Sequence, residues 1–194
     1  MGFHLKFCYK LKMRIFILVL FLNFLSMTNI FSEERENELN KLFTDLKVDN
    51  INLAFKTEQK IWKIWRTHPT DKNLTLIMQK GSNLININKP NDAINVFTNL
   101  IDLDPNWAEA WNKRATVFYL IGEYQKSQND IDKVLELEKR HFGALAGQGL
   151  VNIKLKNYEK AIQSYEKVQQ IYPSMQSPKI MIEQIEELIK KQSI

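Results

Sequence analysis

The feature that most constrains this chain is that it resembles itself. Shifted by 34 residues, it aligns column on column from Leu74 to Met175 with no insertion or deletion. Ile77, Trp111 and Leu145 share one column, and Gly81, Ala115 and Gly149 share the next informative one. Leu84, Phe118 and Asn152 follow, then Pro90, Tyr124 and Tyr158, then Ala93, Ser127 and Ala161. Phe97, Ile131 and Tyr165, then Leu100, Val134 and Val168, then Pro105, Lys139 and Pro173 complete the unit. A period of this length marks stacked supersecondary units. One unit cannot bury its second apolar face alone, so several pile into a continuous core.

Within each unit the columns suit two helices meeting at a tight turn. The small residue of the first helix (Gly81, Ala115, Gly149) and that of the second (Ala93, Ser127, Ala161) let two backbones approach, while the bulky columns interdigitate around them. Glycine inside a helix costs about 1 kcal/mol relative to alanine, so Gly81 and Gly149 answer a packing need. At Ile121-Gly122-Glu123 the glycine tolerates the positive φ with which a helix stops.

These residues resemble the tetratricopeptide repeat, a helix, a turn and a second antiparallel helix in 34 residues. The resemblance covers three full units, 74–107, 108–141 and 142–175. It is carried most specifically by Trp111, Ala115, Phe118, Gly122 and Tyr124 in the middle unit, and by Gly149, Tyr158, Ala161, Tyr165 and Pro173 in the third. The first unit departs, with Pro90 in place of the aromatic that opens the second helix. Leu100, Val134 and Val168 replace a usual alanine and Lys139 a usual proline, which bears on helix spacing. The implied fold is all-α, a short superhelix of antiparallel helix pairs with capping helices at both ends.

The flanks read as those caps. Leu39, Leu42, Phe43 and Leu46 share one helical face, as do Ala54, Ile61, Trp62 and Trp65, with a break at Asp49-Asn50. Residues 33–73 are therefore expected to form a helical hairpin, a degenerate repeat acting as an N-terminal cap. Ser177-Pro178 is a helix start, and residues 176–194 are expected to close the last hairpin through Ile182, Ile185, Leu188 and Ile189. Glu183, Glu186, Glu187, Lys190 and Lys191 would face water, as the end of a solenoid requires.

Charge says more once divided. Lys6, Lys10, Lys12 and Arg14 are four of the 27 basic residues, residues 1–32 hold no acid, and the remainder carries 23 basic against 22 acidic residues. Without a concentrated basic patch, nucleic acid is not an expected partner. The order of basic residues, the apolar run Ile15–Leu22 with Phe24-Leu25, and then small or polar residues reads as a signal peptide over 1–32. Cleavage is placed after Ser32, with a site near Thr28 as the alternative, and a leader starting at Met13 would also be complete. The run is short for a span of about 20 residues, although neither cleavage site is a clean small-x-small pair. The expectation is thus an exported, periplasmic protein. The alternative is an uncleaved anchor facing the periplasm, the only membrane contact expected. Cys8, the sole cysteine, precedes the apolar run and so is not placed for lipidation.

No set of residues argues for catalysis, a cofactor or a metal, and no enzyme activity is expected. His68 and His141 fall in connections between units and read as surface or turn residues rather than as paired ligands on one helical face. The three glycines of "GALAGQGL" lack dinucleotide-loop spacing. Asp102 with Asp104, and Glu136 with Glu138, are repeat-end residues. Arg114 and Asp130 should meet across the middle hairpin as a structural ion pair.

Function then has to come from a surface. The resemblance implies a concave groove lined by the first helices, and its candidate partner-binding residues are Met78, Ser82, Ile85, Asn112, Thr116, Tyr119, Ala146, Leu150 and Ile153. Thr75, Asn86, Glu109, Leu120, Gly143 and Lys154 flank them. A variant of the family that grips a C-terminal carboxylate uses Lys, Asn and Arg at the columns of Met78 and Ser82, Asn112 and Thr116, Ala146 and Leu150, and that clamp is absent. The expected partner is a protein, held through an extended or helical peptide by burial of apolar side chains. The chain is also similar to small exported repeat proteins of alphaproteobacteria through "IWKIW", "WAEAWNKRAT" and "RHFGAL".

Overall fold

The computed structural model describes residues 33–48 and 50–192. The leader expected over residues 1–32, with Cys8 in it, lies outside the described residues. The chain divides into two compact units, Met1–Asn40 and Lys41–Ile194. In the first, the described residues 33–40 are helical. All described secondary structure is helical, beginning with α1 (33–45). It is followed by α2 (Ile51–Arg66), α3 (Lys72–Asn86), α4 (Pro90–Leu103), α5 (Ala108–Leu120), α6 (Tyr124–Leu137), α7 (Phe142–Lys154), α8 (Tyr158–Ile171) and α9 (Gln176–Gln192). The most extensive packing joins α3 to α4, α5 to α6 and α7 to α8, and each pair stacks on the next. Among the described residues no helix is long and apolar enough to cross a membrane.

The three hairpin turns are one device used at a 34-residue interval. Asn88, Gly122 and Lys156 take φ of 55°, 83° and 61°. The next residue's amide donates to a carbonyl five residues back: Lys89 to Leu84 at 2.8 Å, Glu123 to Phe118 at 2.9 Å and Asn157 to Asn152 at 2.8 Å. These bonds satisfy carbonyls that the helix end would leave open. Only the middle turn uses glycine, which is why only that turn stands out by composition. Pro90, in place of an aromatic, sits in the first turn of α4, where its missing amide costs nothing.

Packing inside the hairpins follows a size rule that links positions 16 apart. A Cβ built on Gly81 would lie 2.5 Å from the Phe97 ring, and one on Gly149 would lie 2.5 Å from the Tyr165 ring. In the middle hairpin the facing residue is Ile131, and there Ala115 fits. Leu100, Val134 and Val168, bulkier than the family's alanine, are each fully buried, so the core absorbs their volume. Arg114 holds the middle hairpin with a bidentate fork, Nε to Asp130 Oδ2 and Nη2 to Oδ1, both at 2.8 Å. At the C-terminal end Ile185 is buried, with Ile182 and Ile189 packed around Tyr165 and Ala161. The helix starts at Gln176, one residue before the serine expected to cap it.

Candidate partner-binding groove

The first helices α3, α5 and α7 carry the candidate residues at equivalent columns, but helix α2 takes part of the space they were expected to leave open. The Trp65 ring stacks on His141 with centroids 3.9 Å apart and planes 9° from parallel. Trp62 stands edge-on to His141 and to Phe142 at 5.5 and 5.3 Å. Trp107 Nε1 donates to the Trp65 carbonyl at 2.8 Å, and the Tyr172 hydroxyl donates to Glu58 Oε2 at 3.2 Å. Position 143 has no room for a side chain, since a Cβ there would lie 2.4 Å from Trp62 Cη2. The second of the two helices in the N-terminal segment therefore lies against the starts of α5 and α7.

Both histidines lie in connections, as expected of turn residues, but neither side chain is at the surface. His141 is the N-cap of α7 and is 0 % exposed. Its Nδ1 accepts the Ala144 amide at 3.1 Å, which leaves Nε2 as the N–H that donates to Glu109 Oε2 at 3.1 Å. His68 repeats the device: Nδ1 accepts the Asp71 amide and Nε2 faces Asp104 Oδ2, each at 2.9 Å. Glu109, expected at the groove surface, is likewise buried, because Trp62 and Trp65 cover the surroundings of its histidine partner. Burial alone would raise its carboxyl. The His141 hydrogen bond, the Lys113 charge and the Asn112 amide outweigh burial and hold it below the usual carboxylate range. Lys113 Nζ stands 3.4 Å from the second carboxylate oxygen, and Asn112 Nδ2 donates to Oε2 at 2.9 Å.

What remains of the groove is smaller and more sharply defined. Asn112, Thr116, Tyr119, Ala146 and Leu150 line one cavity of about 220 Å³ between α5 and α7, together with Gly143, Gly147 and residues of α6. No charged side chain borders it. Its two aliphatic hydroxyls are turned into the helices: Thr116 Oγ1 donates to the Asn112 carbonyl at 2.9 Å and Ser127 Oγ to the Ala115 carbonyl at 2.8 Å. Apart from Asn112, the rest of the lining is the Tyr119 ring and the small or alkyl side chains of Ala115, Ile131, Ala146 and Leu150. Leu150, 36 % exposed, and the half-buried Tyr119 form its rim.

The other four candidates lie elsewhere. Met78 is buried beside Phe97 and Leu100 in the first hairpin's core, so it offers a ligand almost no surface. Ile85 packs against that cluster, and Ile153 packs on the cluster of Ala161, Tyr165 and Ile185. Ser82 and the edge of Met78 border a separate depression of about 380 Å³, closed by Lys63 and Arg66 of α2 and by Thr67 after it. The signal that would have found this arrangement is Gly143, a glycine in a helix's first turn with no turn to make, paired with two tryptophans three residues apart that need a cover.

Stacked antiparallel helix pairs, with a side-chain-lined cavity between the first helices, define an α-helical repeat scaffold. A sequence profile of the tetratricopeptide repeat matches residues 78–127 and 121–175. The chain belongs to the tetratricopeptide repeat family. It is 31% identical to a TPR repeat-containing protein of Rhizobium etli over 144 residues, 74% of this chain and 70% of the relative. It is 28% identical to RNA polymerase II-associated protein 3 of Xenopus laevis over 131 residues, 68% of this chain but 20% of that protein. Among solved structures it is similar in fold to the first TPR of Spaghetti (RPAP3) bound to the HSP90 peptide SRMEEVD. There the TM-score is 0.59 at 20% identity, covering 60% of this chain and 93% of that one. MamA gives 0.57 at 23% identity, over 72% of this chain and 85% of that one.

Proposed function

We propose that this chain is an exported protein–protein interaction module that holds an apolar peptide segment of its partner in the cavity between α5 and α7 and carries out no reaction. The observation that carries the reading is that uncharged cavity, bordered by Asn112, Thr116, Tyr119, Ala146 and Leu150. A ligand fixed there gains from buried apolar area, about 25 cal/mol per Å². One leucine-sized or aromatic side chain fills the volume and acts as the anchor. Structural neighbours hold HSP90 and HSP70 peptides, which supports a peptide as the ligand class. Of the Lys, Asn and Arg with which such modules grip a carboxylate, only an asparagine, Asn112, stands at these columns, and its amide is spent on Glu109, so the segment held here is apolar rather than acidic.

Export is part of the proposal and rests on the basic-then-apolar leader of residues 1–32. The absence of a clean small-x-small site before Glu33 favours a second reading, an assembly factor held at the membrane by an uncleaved leader and facing the periplasm. The intact mass of the purified native protein separates the two. The groove itself is tested by cross-linking in a native extract with wild type and with Tyr119→Glu/Leu150→Glu, both checked for folding by circular dichroism. A partner captured by wild type and lost in the variant supports the groove, and equal capture removes it.

A further inference from the structure

The stacked hairpins form a second kind of cleft, between successive second helices, and the two such clefts around the middle and third units differ in one respect. Between α4 and α6 the floor is filled. Arg114 reaches Asp130 and also donates from Nη1 to Thr98 Oγ1 at 3.1 Å, with its guanidinium 5.0 Å above the Trp111 ring and 5.7 Å from Phe118. One repeat later three members of this plug are replaced by something shorter. Gln148 stands at the column of Arg114, Asn152 at that of Phe118 and Ser164 at that of Asp130. The i, i+16 link survives in reduced form, with Ser164 Oγ donating to Gln148 Oε1 at 3.0 Å. The result is an open cleft of about 460 Å³ between α6 and α8.

Its chemistry is unlike that of the apolar cavity. The floor is an amide chain: Asn152 Nδ2 donates to Gln128 Oε1 at 3.1 Å, and Gln128 Nε2 donates to Asp132 Oδ1 at 2.7 Å. Gln148 Nε2 faces the same carboxylate oxygen at 3.5 Å. Lys160 and Lys167 rise on the opposite wall, two helical turns apart, and neither has a carboxylate partner among the described residues. A side-chain amide offers a donor and an acceptor in one plane, the same pair that a backbone peptide group offers. No aromatic side chain lines the cleft, and so it lacks the stacking platform on which nucleobases are held.

From this geometry we infer that the α6–α8 cleft is a second binding site, for an extended peptide segment carrying acidic side chains. The peptide backbone pairs with the amide floor, its N–H groups face Asp132, and its carboxylates face Lys160 and Lys167. Seven helical residues separate those lysines by about 10 Å. Acidic residues two or three positions apart on an extended chain are separated by roughly 7–10 Å. The site is independent of the α5–α7 cavity and takes the opposite chemistry.

The test is a titration of the full-length ¹⁵N-labelled chain with blocked Gly-Glu-Gly-Glu-Gly, its Gly-Lys-Gly-Lys-Gly counterpart and an N-acetylglucosamine trisaccharide. The acidic peptide should shift the side-chain NH₂ signals of Gln128, Gln148 and Asn152. Lys160→Glu/Lys167→Glu, two exposed changes that leave the fold intact, should weaken binding at least tenfold. Gln148→Arg/Asn152→Phe/Ser164→Asp, which installs the Arg, Phe and Asp of the preceding repeat and leaves Gln128 as the reporter, should abolish the Gln128 shift. No shift with any probe, equal shifts with the lysine peptide, a response to the trisaccharide alone, or binding that survives the lysine changes would each overturn the proposal.

Discussion

Two glycines four residues apart on α7 should respond to the same substitution with opposite sign. Glycine to alanine in a helix interior is worth about 1 kcal/mol of propensity. At Gly147 the new Cβ would meet only Ile131 Cδ1 at 3.6 Å, an ordinary contact. Gly147→Ala should therefore stabilise by about 0.5–1 kcal/mol. At Gly143 the new Cβ would lie 2.4 Å from Trp62 Cη2 and 2.9 Å from Cζ2. The indole cannot swing aside cheaply. It is hemmed in by His141, Phe142 and Trp65, and its Nε1 donates to Glu58 Oε1 at 3.1 Å. Overpacking of this kind costs about 1–3 kcal/mol. Set against the propensity gain, Gly143→Ala should destabilise by up to about 2 kcal/mol, and in a chain of this size each kcal/mol moves Tm by roughly 2–4 °C. Urea unfolding of both variants and of Trp62→Phe/Gly143→Ala measures this. The smaller ring should recover much of the loss, giving a coupling above about 0.5 kcal/mol. Equal stabilisation at both glycines would refute the docking of α2 against α7.

Arg114→Ala leaves the nearly buried Asp130 carboxylate without its partner and should cost about 3 kcal/mol or more, whereas Lys126→Ala, at an exposed pair with Glu123, should cost under about 0.5 kcal/mol. Thermal melts of the two compare them directly. Lys156→Gly removes a side chain from a left-handed position at φ 61° and should raise stability by about 1 kcal/mol in urea titrations. Because the Glu109 carboxyl is held below its ordinary 4.5 in the folded state, the stability it contributes is present above that pH. It is lost as pH falls through the folded value. Stability curves between pH 7 and 3 should therefore fall less steeply for Glu109→Gln than for wild type, from a lower starting point.

Much of the solenoid was legible because its information is periodic. A column read once is read three times, and the Arg114–Asp130 pair followed from placing two residues on facing helices. The turn at Lys156 was not legible by composition, since a lysine carries no sign of positive φ and only its distance from Gly122 places it. The site was half legible. Asn112, Thr116, Tyr119, Ala146 and Leu150 come together because their columns are set by the repeat, and Met78 does not join them because its unbranched side chain turns into the core beside Phe97. The burial of His141 and Glu109 was hidden for a different reason. It depends on α2, a segment outside the period, whose contact with residues some 80 positions away no local pattern encodes. Gly143 and the Trp62–Trp65 pair were the two halves of that signal, and each is ambiguous alone.

We propose that the working surface is the uncharged cavity between α5 and α7. A peptide selected from a random library against the full chain, followed by mapping of its footprint through backbone and methyl NMR shifts, tests it most directly. Shifts centred on Thr116, Tyr119, Ala146 and Leu150, an apolar anchor residue in the peptide, and loss of binding in Leu150→Glu are the expected result. A footprint that avoids these residues, or tight binding that survives Leu150→Glu, would contradict it.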